Sequence, residues 1–158
     1  MADDRARSQP GAVLFACNFN RVRSPMAEAL LKRLAGDRIY VDSCGLKHPA
    51  SRATADEEGR AEIDPFALAV MTEIGCDLSG HRAKTFDELE DASFDVVVSL
   101  TPESQHRAVE MARGRAAEIE YWPIFDPTLA EGSRAARLEV YRGVRDALAA
   151  RIAARFGG

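Results

Sequence analysis

Cysteine is scarce in this chain. Three occur in 158 residues, Cys17, Cys44 and Cys76, with no Cys-x-x-Cys pair, which excludes a disulfide framework. The three histidines, His48, His81 and His106, have no metal-ligand spacing with them, so no metal centre is expected. Long apolar runs are missing, and no transmembrane helix can be drawn. The first ten residues carry charges and no apolar stretch, which does not read as a signal peptide. Lysine is nearly absent, three against 18 arginines, a bias that GC-rich bacterial coding would produce. An excess of positive charge is lacking too. Lys plus Arg total 21 against 25 Asp plus Glu, a net charge of −4, which argues against general nucleic-acid binding while leaving room for a local basic pocket. The expectation is a cytoplasmic protein with neither a nucleic-acid nor a membrane partner.

What is present reads as one globular domain: 46% hydrophobic and 29% charged residues, with no repeat or low-complexity segment. Residues 1–11 are polar, end in Pro10-Gly11, and are expected to form a flexible tail before a single domain over 12–158. Val13–Cys17, Ile39–Ser43, Phe94–Ser99 and Ile119–Trp122 are short apolar or β-branched runs bounded by turn residues, as buried strands are. Helical spacing follows each of them except the second, which is followed by a polar loop over 46–62. Ser24-Pro25 reads as cap and first residue of a helix that Gly36 closes. Asp64-Pro65 opens a second through Ile74, and Asp64 reads as its cap. Pro102 starts a third to Met111, and 134–156 forms a long amphipathic fourth. Alternation of this kind predicts an α/β three-layer sandwich, a parallel sheet flanked by helices, with ligands bound beyond the carboxyl ends of the strands.

The chemistry concentrates in Cys17-Asn18-Phe19-Asn20-Arg21-Val22-Arg23-Ser24, between a strand end and a helix start. A loop of this length curls its backbone N–H groups toward one centre and, with the helix N-terminus, makes a site for a tetrahedral oxyanion. The same field favours the thiolate of a cysteine at the loop's start. Arg23 adds a permanently charged fork for two oxygens, and Ser24 a hydroxyl for the sulfur. Displacing an alcohol also needs a proton donor. Asp126, in Trp122-Pro-Ile-Phe-Asp126-Pro127, is the candidate, held out of helical geometry by Pro127 amid aromatic residues that favour its protonated form.

At this point the sequence resembles the low-molecular-weight protein tyrosine phosphatase family, which shares its fold with thioredoxin-coupled arsenate reductases. The resemblance runs from about Val13 to Phe156. It rests on Val-Leu-Phe-Ala-Cys17, Asn20, Arg23-Ser-Pro-Met-Ala-Glu28, Asp42-Ser-Cys-Gly45, Ile74-Gly-Cys-Asp-Leu-Ser-Gly-His-Arg82, Trp122-Pro-Ile-Phe-Asp-Pro127 and the terminal helix. It implies a four-stranded parallel sheet and a phosphocysteine mechanism without metal or cofactor, on a phosphorylated protein or a small phosphate monoester. Cys17 would attack phosphorus, Arg23 would bind the equatorial oxygens, and Asp126 would protonate the leaving oxygen and then activate water. Asn20, Ser43 and His81 match residues that support the loop. Activity at mildly acidic pH is expected, with Cys17 ionised while Asp126 is protonated.

Departures from the family concern the substrate. Phe19 stands where relatives have glycine, and Arg21 where they have a small or aliphatic residue lining the pocket. No aromatic occurs in 46–62, and Thr128-Leu129 follows the Asp-Pro where tyrosines often stand. An arsenate reductase of the same fold is the alternative. Its resolving cysteine pair is missing here, since Cys76 stands alone, and Cys44 and Cys76 read as buried small hydrophobes. A non-catalytic phosphate- or phosphoprotein-binding relative is the third reading. Neither the physiological substrate nor the oligomeric state follows from the sequence.

Overall fold

The computed structural model describes residues 9–48, 63–91 and 93–157. Four strands, β1 (Ala12–Cys17), β2 (Tyr40–Gly45), β3 (Val96–Ser99) and β4 (Glu118–Tyr121), form one parallel sheet in the order β2-β1-β3-β4. Four helices connect or follow them: α1 (Arg23–Ala35), α2 (Pro65–Thr72), α3 (Pro102–Ala112) and α4 (Arg134–Phe156). The expected α/β sandwich, with its phosphate-type loop after the first strand, is the observed architecture.

Side chains of a strand alternate between the sheet's faces, and here both faces are apolar. Val13, Phe15 and Cys17 of β1 join Val41, Val96 and Val98 under α1, α2 and α4, with Met26, Leu31, Val70, Leu148 and Phe156 fully buried. Leu14, Ala16, Cys44 and Val97 face the other way, against Ala108 of α3 and Phe86. Each buried Val, Leu, Phe or Met side chain contributes about 1.5–3 kcal/mol, and β1 is buried on both faces. The active loop hangs from its end.

Several boundaries differ from the sequence expectation. β2 extends to Gly45, because parallel pairing continues through Ala16↔Cys44 and Cys17↔Gly45. β3 begins at Val96, two residues late, and β4 at Glu118, one early. α1 closes at Gly36 (φ 57°) as expected, but it begins at Arg23, so Ser24 is not its cap. Asp64 does cap α2, accepting from the Phe66 and Ala67 N–H groups; the helix stops at Thr72, before the positive-φ Gly75. Of the expected N-terminal tail, residues 1–8 lie outside the described residues. Gly11 is fixed, its N–H donating to Asp95 Oδ2 at 2.9 Å and its carbonyl accepting from Tyr40. Most of the expected 46–62 loop, residues 49–62, also lies outside the described residues. No helix among the described residues is long and apolar enough to cross a membrane.

Candidate active site

Cys17 ends β1 almost wholly buried, and residues 18–22 turn around its sulfur before α1 begins. The N–H groups of Phe19, Asn20, Arg21 and Val22 make no hydrogen bond to any described residue. Four consecutive backbone donors without a partner, beside a helix N-terminus, are chemically suited to an anion. Among the non-glycine described residues only Asn20 has a positive φ, 57°. Asparagine tolerates that conformation because its short amide bonds locally. Phe19, where the resemblance implies glycine, does not have a positive φ, and the residue is 40% exposed at the cleft.

A chain of hydrogen bonds fixes the loop and reaches the sulfur. The Lys84 N–H donates to Asn20 Oδ1 at 3.0 Å, which orients the amide so that Nδ2 is the donor on its other side. Nδ2 donates to Ser43 Oγ at 2.9 Å and to Ser24 Oγ at 2.8 Å. Ser43 passes its own proton to Glu28 Oε1. Ser24 Oγ lies 2.9 Å from Cys17 Sγ, where either atom can be the donor, and 3.4 Å from the Cys44 carbonyl, to which its hydroxyl can donate. An ionised sulfur can only accept, so with Cys17 as the thiolate the Ser24 hydroxyl is the donor of this contact. His81 Nε2 lies 2.7 Å from the Asn20 carbonyl, and since a carbonyl only accepts, that nitrogen carries a proton. Asn20, Ser24, Ser43 and His81 are thus brought together around the loop.

Other contacts were not foreseen from the sequence. The Asn18 carbonyl accepts from Leu46 and Lys47, and its Oδ1 from Thr101 Oγ1 at 2.8 Å, tying the loop to β2 and to the start of α3. Gly45 lies so close that a Cβ there would stand 2.8 Å from Asn20 N and 2.8 Å from Phe19 C. Its signal in the sequence is only a glycine at a strand end. Asp64, read as a cap, also receives the buried Tyr141 hydroxyl at 3.1 Å and pairs through its N–H with the Arg21 carbonyl. Burial, then the Asp64 charge, holds the Tyr141 phenol well above its usual range, so it stays a donor.

The cleft over Cys17 has a volume of about 540 Å³ and is walled by Phe19, Arg21, Arg23, Asp64, Asp126 and Thr128 among others. Arg23 donates through Nη1 to the Ile124 carbonyl at 2.8 Å, while Nη2 stands 3.8 Å from Asp126 Oδ2. Asp126 Oδ1 accepts from the Thr128 N–H and hydroxyl, which leaves Oδ2 as the oxygen toward Arg23. Cys17, Arg23 and Asp126, 109 residues apart at the extremes, share one opening.

Residues 12–152 match the low molecular weight phosphotyrosine protein phosphatase family. The chain belongs to that family. Among curated relatives, the glutaredoxin arsenate reductase of Synechocystis is 31% identical over 140 residues, 89% of this chain and 92% of its own. A solved arsenate reductase in the phosphate binding state is 31% identical, with a TM-score of 0.70 over 92% of this chain and 96% of that one. The YwlE arginine phosphatase of Geobacillus stearothermophilus is 27% identical, with a TM-score of 0.67 over 90% and 88%. Family members of both kinds, reductase and phosphatase, therefore have this chain's fold.

The other two cysteines stand apart from the cleft. Cys44 pairs with Ala16 in the sheet and shares its face, opposite to that of Cys17. Burial, and after it the nearby Cys17, pushes the Cys44 thiol well above its usual range. Cys76 was expected to be buried; it is only partly buried, in the turn after α2, where Arg33 Nη1 of α1 donates to its sulfur at 3.7 Å. Neither lines the cleft. Among the described residues no group of three or more His, Cys, Asp or Glu is placed to hold a metal ion.

Proposed function

We propose that the protein hydrolyses phosphate monoesters, as a phosphotyrosine-type protein phosphatase, through a phosphocysteine on Cys17. The observation that carries this reading is Asp126 in the same cleft as Cys17, while no second cysteine lines it. The Cys17 thiolate attacks phosphorus from within the cradle. The N–H groups of residues 19–22 and the Arg23 fork hold the non-bridging oxygens, whose charge grows in the transition state. Asp126, engaged through Oδ1 by Thr128, delivers a proton from Oδ2 to the departing ester oxygen. The resulting carboxylate takes a proton from the water that cleaves the S–P bond, and the Ser24 hydroxyl stabilises the sulfur as it leaves.

A second reading, arsenate reduction, is favoured by the relatives, since those at 31% identity carry that name. In that reading Cys17 holds arsenate in the same cradle. Cys44 is poorly suited to supply the second thiol, because it lies on the opposite face and its thiol is held protonated, and Cys76 does not line the cleft, so a thiol from outside the chain suits this reading best. Paired assays of the purified protein separate the two. Phosphate release from an aryl phosphate without metal, and no arsenate-dependent oxidation of added thiols, is the expected pattern. Arsenate-dependent thiol oxidation without phosphate release would establish the reductase. Tight phosphate binding with neither activity would leave the non-catalytic binder.

A further inference from the structure

Three arginines beside the cleft have no carboxylate partner. Arg21 lines the cleft itself, and Arg134 and Arg137 lie on the first turns of α4 with their guanidinium groups over the Phe66 ring, 5.5 and 4.4 Å from its centre. None makes a hydrogen bond or ion pair with a described residue, and Arg137 Nε is buried without a partner. They belong to one strip. The Arg21 carbonyl accepts from Asp64, Phe66 follows two residues on, and the Asp64 carboxylate receives Tyr141 of α4. Among the described residues, three carboxylates of this strip are engaged elsewhere. Asp64 caps α2 and binds Tyr141, Asp126 binds Thr128, and Glu139 pairs with Arg142.

Placement makes this unfavourable for the fold alone. The N-terminus of a helix is its positive end, where cations are destabilising, and α4 has no acidic residue in its first turn. Three arginines without a carboxylate partner among the described residues put positive charge along this strip. Exposed Phe19 lines the same opening. A strip running from the cleft along the start of α4 suits an extended chain better than a compact metabolite.

We propose that the substrate is an acidic phosphorylated segment of a protein, with Arg21, Arg134 and Arg137 binding carboxylates that flank the phosphorylated residue. This deepens the hydrolase reading and rests on it. The test compares two phosphotyrosyl peptides, one with three flanking Asp or Glu residues and one with the isosteric Asn or Gln. At low ionic strength the ratio of their kcat/KM values is expected to be about tenfold in favour of the acidic peptide, and to approach one at ~0.5 M salt. In the Arg134→Gln, Arg137→Gln double variant, which keeps the aliphatic stems on Phe66, the ratio falls to about twofold, and the corresponding Lys pair restores most of it. A wild-type ratio near one, or a ratio that survives the Gln pair, overturns the proposal while leaving the hydrolase intact. Hydrolysis of neither peptide defeats the hydrolase reading instead. Binding of both peptides to the Cys17→Ser protein then decides the strip by itself: preference for the acidic peptide, lost in the Gln pair, supports it, and equal binding overturns it.

Discussion

Asp126→Asn is expected to slow hydrolysis of a phosphate ester with a poor leaving group, such as an alkyl phenol, by about 10³-fold, and that of a nitrophenyl ester only severalfold. The argument is chemical first. A poorly stabilised phenolate needs its proton as the bond breaks, whereas a nitrophenolate leaves without help. Geometry then makes the variant clean. Asn can still accept from the Thr128 N–H through its oxygen, so the turn over Pro127–Leu129 keeps its cap. Arg23 stays anchored to the Ile124 carbonyl, so the oxyanion site is retained while the transferable proton is lost. Steady-state rates across a leaving-group series check this. Equal losses at both ends of the series would remove Asp126 from the role of acid.

Gly45→Ala is the second large effect, and it touches no reacting group. The added Cβ would stand under 3.0 Å from Asn20 N, Phe19 C and Asn18 O, all backbone atoms. None of them can swing aside, because Asn18 is held by Leu46, Lys47 and Thr101, and Asn20 by Lys84 and His81. The loop must shift as a unit and move the N–H groups off the positions where the oxyanion sits. Displacement of about 1 Å costs about 100-fold in rate, and overpacking costs about 1–3 kcal/mol of stability. Gly143→Ala is the control. No atom lies within 4 Å of its added Cβ, and it sits in α4, where alanine favours the helix. Aryl phosphate hydrolysis and vanadate inhibition of both variants check this; a Gly45→Ala protein with wild-type values for both would contradict the close-approach account.

The sheet and its helices were legible because their signals are local. Four short apolar runs alternate with helix-opening prolines, and the Asp64 cap and Gly36 stop act where they stand. The nucleophile loop was legible for the same reason, as one contiguous segment. What the sequence hid depends on residues meeting across the fold. Ser24-Pro25 looks like a cap and a first helical residue, yet Asn20 turns the Ser24 hydroxyl back onto Cys17. Phe19 stands out in the sequence as a departure from glycine, but the left-handed position of the loop is Asn20. Gly45 matters only because β2 pairs two residues beyond the expected run, which ended at Ser43. Arg134 and Arg137 read as the polar face of an amphipathic helix until α2 places Phe66 beneath them.

The central claim is that Cys17 carries the phosphoryl group during turnover. Acid quenching of the protein as it turns over an aryl phosphate, followed by intact-mass measurement and peptide mapping, tests it most directly. A single phosphoryl adduct on Cys17 is expected, absent from Cys17→Ser, whose phosphate release falls to background. Phosphate release with no adduct on Cys17, or undiminished in Cys17→Ser, would contradict the account.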